Sequence, residues 1–441
     1  MTGLAPDGGL LLPESIPDVS GALPQWRALP YTALAEQVMS RFFDMTPELQ
    51  ALISPSYATF RSPEVAPVVS WAGEPLHIME LFHGPTLAFK DVALQWLGNL
   101  FEHILEKHDS HLNIVGATSG DTGSAAIHGV RGKPRINIFI MHPKGRTSPV
   151  QELQMTTVLD ENVFNLAIEG TFDDCQAIVK DMLADAQLHR RYSLGAVNSI
   201  NWARVLAQVV YYFYGVFRVQ ERTAAATVDV TVPTGNFGDI FAGYVAMRMG
   251  LPIRRLVLAA NDNNILERFF TTGEYRRGTV RPTLSPSMDI QIASNFERYL
   301  YYRSGCDAQK TAALMSEFAA GGCIRLDGGD PAFAAGSAGR DETLEAIRWM
   351  KQRFDYIPDP HTAVGIHVAR QRLDPAIPML CLATAHPAKF PDAIRQALGD
   401  VRPAHPLIDA LEGLPVRCET LSAAAAEVRR YVIEHAQAGN R

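Results

Sequence analysis

The sequence predicts an α/β protein built on parallel sheet, and three observations carry that prediction. From Leu112 onward, short runs rich in valine and isoleucine alternate with amphipathic stretches, the rhythm of βαβ units. Several of these runs end in glycine-containing turns that open into helical patterns. The residues richest in chemistry lie just past those strand ends, where open parallel sheets hold their ligands.

Each element can be justified in order. The first seventy-odd residues are proline-rich with short helical patterns such as Tyr31–Phe43. Leu112–Ala117 reads as a strand, followed by the turn TSGDTG and a helix from near Ser124. Arg135–Met141 is a strand ending at His142-Pro143-Lys144-Gly145-Arg146. Val228–Val232 leads into PTGNFGD and a helical run over Ile240–Met249, and Met379–Leu382 ends at Ala383-Thr384-Ala385-His386-Pro387.

Bulk properties exclude several function classes. The 441 residues leave room for about two or three domains. Charges interrupt every stretch long enough to span a bilayer, and MTGLAPDGGLLLPE lacks the basic and apolar regions of a secretory signal. A net charge of −7 with no basic stripe argues against nucleic acid as a partner. The cysteines (Cys175, Cys306, Cys323, Cys381, Cys418) are isolated and form no CxxC pair. That usage fits a reduced, cytoplasmic protein with neither a disulfide framework nor a zinc site.

The turns divide into anion-holding types. PTGNFGD, Pro233 to Asp239, places two glycines between strand and helix, so free amides and the helix dipole converge on one point, as a phosphate requires. A bare strand-to-helix turn has the same pattern. Neither GxGxxG nor GxxxxGK[ST] is present, which argues against a nicotinamide dinucleotide or ATP. TSGDTG adds the hydroxyls of Thr118, Ser119 and Thr122 and the carboxylate of Asp121, suited to a substrate carboxylate or simply to capping a helix. HPKGRTSP places Lys144 and Arg146 two apart after a strand, matching either a solvated turn or a phosphoester.

Lys90 sits among Leu87, Ala88, Phe89, Val92 and Ala93, an apolar setting that depresses an ammonium pKa and favours a nucleophilic amine. A lysine in an apolar run means little alone. Beside a phosphate cup and a carboxylate loop, it completes the parts of a pyridoxal-phosphate (PLP) enzyme acting on an amino acid. His83, His361 and His386 form no HExxH-type pair, so structural roles suit them better than metal binding.

At this point the sequence resembles the threonine synthase family, in its longer bacterial and fungal form within PLP fold type II. The shared segments span nearly the whole chain: DGGLLLPE, HGPTLAFKDVALQ, GATSGDTGSAA, HPKGRTSPVQELQMTT, EGTFDDCQ, AVNSINWARVLAQVVYYF, PTGNFGDIFAGYVA, NDNNIL, TLSPSMDIQIASNFER, DPHTAVG and ATAHPAKFP. The resemblance implies a tryptophan synthase β-like fold: an amino-terminal segment over 1–77, a smaller mobile α/β domain over 91–195, and a large PLP-binding domain from 78–90 and 196–441. It implies that Lys90 carries PLP as a Schiff base and moves protons. Gly235, Asn236, Phe237, Gly238 and Asp239 are implied to cup the cofactor phosphate, and Thr384 to bond the pyridine nitrogen. Thr118, Ser119, Asp121 and Thr122 are implied to lie by the substrate carboxylate and cofactor ring, with Lys144 and Arg146, then Asn295 and Arg298, as candidates for the substrate phosphate.

The implied reaction converts O-phospho-L-homoserine and water to L-threonine and phosphate, in a monomer or homodimer with no nucleic-acid or membrane partner. A PLP-dependent phospho-lyase or a serine/threonine dehydratase would share Lys90, the cup and the carboxylate loop. A catalytically dead binding protein is disfavoured by the intact Lys90. Family members carry a longer stretch before the DGGL segment, including Ser-Thr-Arg-Gly, whereas this sequence starts almost at that point. The expectation is either a late start codon or a missing amino-terminal strand.

Overall fold

The computed structural model describes residue 5 and residues 8–327 and 329–438. Among them two main sheets carry the fold. The larger runs in the order Val68–Ser70, Leu76–Glu80, Met379–Ala383, Val228–Pro233, Ile253–Ala260, Phe333–Ser337. Its first pair is antiparallel and every later pair is parallel. The smaller sheet is parallel throughout, in the order Glu419–Ser422, Val163–Glu169, Ile136–Pro143, Leu112–Ala117, Leu194–Gly195.

Val228–Pro233 and Met379–Ala383 are buried at every position, as strands covered on both faces must be. One face of the large sheet packs on helices Trp202–Thr223 and Gly238–Arg248, the other on Arg340–Phe354 and Pro360–Arg370. The amino-terminal segment joins the first of these cores: the Tyr31 ring meets Tyr57 at 5.1 Å and Tyr214 at 5.5 Å.

The predicted strands are present. Leu112–Ala117 keeps its predicted bounds, the strand expected over Arg135–Met141 is shifted to Ile136–Pro143, and the other two extend by one residue to Val228–Pro233 and Met379–Ala383. The helix expected over Tyr31–Phe43 stops at Met39. The helix expected from Ser124 starts earlier, at Asp121, because the Thr118 hydroxyl accepts the amides of Gly120 and Gly123 and fixes the turn ahead of it.

The domain expectation needs one correction at the carboxyl end. Glu419–Ser422 pairs with Val163–Glu169, and Val428 and Val432 pack into the core of the smaller sheet, so this segment does not belong with the large one. It covers a strand edge whose backbone groups would otherwise be unpaired. The boundary at residue 90 also runs through a helix. In Lys90–Lys107, Val92, Ala93 and Trp96 join the large core, while Leu94, Leu97 and Phe101 join the small one.

That helix crosses Asp121–Val130 with backbones in contact. A Cβ on Gly98 would lie 1.9 Å from the Gly129 carbonyl oxygen, and one on Gly129 would lie 2.5 Å from that of Leu94. Only glycine permits this approach. Lys90 and Asp121 are the first residues of the two helices, so the crossing brings the amine and the carboxylate together.

Candidate active site

The site forms where strand ends of both sheets meet. Leu76–Glu80 leads through Gly84-Pro85-Thr86-Leu87 to Lys90, with Leu87 held at a left-handed φ of 59°. The Phe89 amide donates to the Thr384 carbonyl at 2.8 Å, which fixes Lys90 beside the end of Met379–Ala383.

Lys90 is 7% exposed, and its Nζ lies 3.4 Å from Asp121 Oδ2. Burial pulls its pKa down; Asp121 opposes that shift, whereas Lys389 and Arg204 add to it. For Asp121, burial alone would raise the carboxyl, but Lys389 and then Lys90 outweigh it and hold the group well below its ordinary range. Asp121 Oδ1 also meets Lys389 Nζ at 2.7 Å and accepts from Gln151 Nε2 at 2.7 Å, and Ser287 Oγ donates to Oδ2 at 3.4 Å.

The PTGNFGD turn joins the strand Val228–Pro233 to the helix Gly238–Arg248, as its sequence predicts. Phe237 caps the following helix at φ 65°, a conformation costly for a residue with a side chain. Its ring is locked in an aromatic cluster with Phe296 at 5.4 Å and Tyr299 at 5.7 Å, so the strain is sustained by core packing. Gly235 is required by proximity, since a Cβ there would meet the Ser287 carbonyl at 2.7 Å. The amides of Gly235, Asn236 and Phe237 make no bond among the described residues, and those of Gly238 and Asp239 open a helix. This is the donor set an anion needs.

The remaining predicted residues divide clearly. Thr384 is buried; its amide donates to Thr362 Oγ1 at 3.1 Å, while its hydroxyl makes no bond among the described residues. Thr118 is buried, Thr122 half-buried and Ser119 exposed, all at the turn where Asp121 begins its helix. The Asp239 carboxylate accepts from the hydroxyls of Tyr211 and Tyr212, and burial pushes it up to about 6, so only its amide can serve the cup.

Asn295 and Arg298 support the cup from behind. Asn295 Nδ2 donates to the Asn236 carbonyl at 3.1 Å, and Arg298 donates to Asn295 Oδ1 and to the carbonyls of Leu11 and Ile200. Arg298 is 1% exposed, with its hydrogen bonds spent on the protein. Lys144 and Arg146 lie on an exposed turn, and Lys144 pairs with Glu169 at 2.9 Å. Neither bonds to Lys90, Asp121 or the cup among the described residues.

Sequence reasoning assigned no role to Lys389, Arg204 or Asp359 and gave His361 only a structural one, yet the fold brings all four to the site. Lys389 is fully buried against Asp121. Arg204 is buried, its Nη1 has no hydrogen-bond partner among the described residues, burial lowers it to about 10, and its charge acts on Lys90. His361 Nε2 accepts the Ser287 amide at 3.2 Å, and its Nδ1 therefore donates to Asp359 at 2.8 Å. Asp359 also accepts the Thr362 hydroxyl, so one buried carboxylate steadies both Ser287 and, through Thr362, Thr384. His361, Lys389 and Arg204 lay in DPHTAVG, ATAHPAKFP and NSINWAR, but no local pattern announces a contact across the fold.

The free amides over 235–239, the free Thr384 hydroxyl and the buried Lys90 amine have the chemistry PLP needs, which would take amide donors at its phosphate, a hydroxyl at its ring nitrogen and an amine at its aldehyde. Comparison with known proteins points to the same cofactor. The family model described as threonine synthase N terminus matches residues 1–57, that of the pyridoxal-phosphate dependent enzymes 66–338, and that of threonine synthase, C-terminal, 362–432. Threonine synthase from Pseudomonas aeruginosa is 44% identical over 100% of this chain and 95% of its own. That from Schizosaccharomyces pombe is 45% identical over 90% of this chain and 86% of its own. The PLP-bound crystal structure of threonine synthase from Brucella melitensis superposes with a TM-score of 0.93 at 44% identity, covering 99% of this chain and 95% of that one. The chain therefore belongs to the threonine synthase family of PLP-dependent enzymes, on fold type II.

Proposed function

We propose that the protein converts O-phospho-L-homoserine and water to L-threonine and phosphate, acting as the last step of threonine biosynthesis. The observation that carries this reading is charge: beside a buried lysine and an occupied carboxylate lies Arg204, a buried guanidinium whose Nη1 has no hydrogen-bond partner among the described residues. An uncompensated buried cation is costly and calls for an anion, as a phosphorylated substrate supplies. Serine or threonine would leave it unmatched.

PLP, when bound, supplies the electron sink that makes the protons beside the amino group removable. The chain does the rest. The cup amides and Thr384 hold the cofactor, and the free amides of Ser119, Asp121 and Thr122 at the start of a helix can take the substrate carboxylate. Lys90, whose ammonium burial and the neighbouring cations disfavour, is the amine placed to take a proton at one carbon and return it at the next. Lys144 and Arg146, on the rim, suit attraction of a dianion from solvent. Movement of the smaller sheet over the substrate would exclude water from the reacting carbons until the step that requires it. No helix among the described residues is long and apolar enough to cross a membrane, and the cysteines described are free, which supports a reducing compartment, the cytoplasm.

The test is a reaction of purified, PLP-loaded protein with O-phospho-L-homoserine, quantifying phosphate, threonine and 2-oxobutyrate together. Equal phosphate and threonine are expected. Phosphate matched by 2-oxobutyrate would make it a phospho-lyase, and no phosphate release would remove this substrate altogether.

A further inference from the structure

Asp121 is one carboxylate shared by two lysines, and the sharing is unequal. Lys389 Nζ stands 2.7 Å from Oδ1, whereas Lys90 Nζ stands 3.4 Å from Oδ2. The Lys389 side chain is 0% exposed and also donates to the Thr86 carbonyl at 2.8 Å. It is held in its own short turn, Pro387–Lys389, a few residues after the strand Met379–Ala383. A group so enclosed has no route to substrate and little freedom to move. Lys90, at the mouth of its helix, has the longer and weaker contact.

We infer that Lys389 is the standing counter-cation of Asp121, a positioning residue that occupies that carboxylate so that Lys90 is left free as an amine. Without Lys389, Lys90 would be the ammonium left paired with Asp121, in a buried ion pair that holds the proton on the reactive nitrogen. With Lys389 in place, the buried cluster facing Lys90 comprises Asp121, Lys389 and Arg204, with His361 beyond Asp121 and Asp91 near Lys389. Burial and both cations lower Lys90; Asp121 alone opposes them. Lys389 also ties the carboxylate loop of the smaller sheet to Thr86 in the segment that carries Lys90, so one ammonium fixes charge and spacing together.

The inference rests on Lys90 as the reactive amine, and its test separates the two. In cofactor-free protein, competitive acetylation from neutral to alkaline pH, with the Lys90 peptide quantified by mass spectrometry, gives the titration midpoint of that single lysine. Lys389→Met is expected to move the midpoint up by about one unit or more, the scale on which a neighbouring charge acts on a buried group. Lys389→Arg, which keeps the charge, is expected to stay near wild type. An unmoved midpoint in folded K389M overturns the inference, and so does K389R moving as far as K389M. If K389M does not fold, Lys389→Gln carries the same expectation. A wild-type Lys90 as basic as a surface lysine would remove the premise and the functional reading with it, a result distinct from a depressed midpoint indifferent to Lys389.

Discussion

The two turns proposed to hold anions, one on each sheet, are built differently. The cup over 235–239 is held by packing: Phe237 is in a strained conformation secured by its ring, Asn295 grips the Asn236 carbonyl, and Ser287 lies over Gly235. The turn over 118–122 is held by hydrogen bonds: Thr118 Oγ1 accepts two amides, at 3.0 and 2.9 Å, and Gln151 holds Asp121, while Ser119 stays exposed. Packing gives a seat of fixed shape, suited to a cofactor retained through every cycle. A hydrogen-bonded turn on the other sheet can adjust to a substrate that comes and goes.

The largest expected effect lies between the two. Lys90→Ala removes the amine to which both turns present their ligands, and turnover should fall to background. Retained catalysis without an added amine would show that the proton is carried elsewhere. Next comes the cup. Phe237→Ala should destabilise the protein by about 3–5 kcal/mol, the range for deleting a core aromatic ring. It should weaken PLP binding while KM for substrate in the PLP-saturated enzyme changes little. If PLP affinity is unchanged in a folded F237A protein, the cup does not depend on its packing.

The carboxylate turn should respond in the opposite sense. Thr118→Val keeps the shape and removes the acceptor of two buried amides, a cost of about 1–3 kcal/mol. KM for the substrate should rise and PLP affinity should hold. A T118V protein that loses PLP instead would mean that the two turns are one unit and the contrast between them is false.

These contrasts also mark what was legible in the sequence. Strands, glycine turns and the positions of Lys90 and the cup follow local rules, in which apolar runs alternate with amphipathic stretches and glycine stands where strand turns into helix. The contacts that decide charge are long-range. Lys389 and Asp121 are 268 positions apart, and Arg204, Asp359 and His361 reach the site only through the meeting of two sheets. Asn295 and Arg298 show the converse: their types suited a phosphate, yet burial turned both to bracing the backbone. The return of 419–435 to the smaller sheet was equally hidden, because nothing local says which edge a late strand will cover.

The smallest effect is expected on the exposed turn, and it sharpens the comparison from outside. Lys144 is half-exposed and paired with Glu169, the arrangement in which an ion pair contributes about 1 kcal/mol or less. Lys144→Ala should therefore leave stability and PLP affinity unchanged. Any loss should appear in kcat/KM for the phosphorylated substrate, within about tenfold, and should shrink as salt screens the field of the rim. A larger, salt-independent loss would mean that Lys144 leaves Glu169 and bonds the substrate phosphate directly. The smaller sheet would then have to carry its turn inward, and Arg204 would share the phosphate with a group that comes from the other side of the cleft.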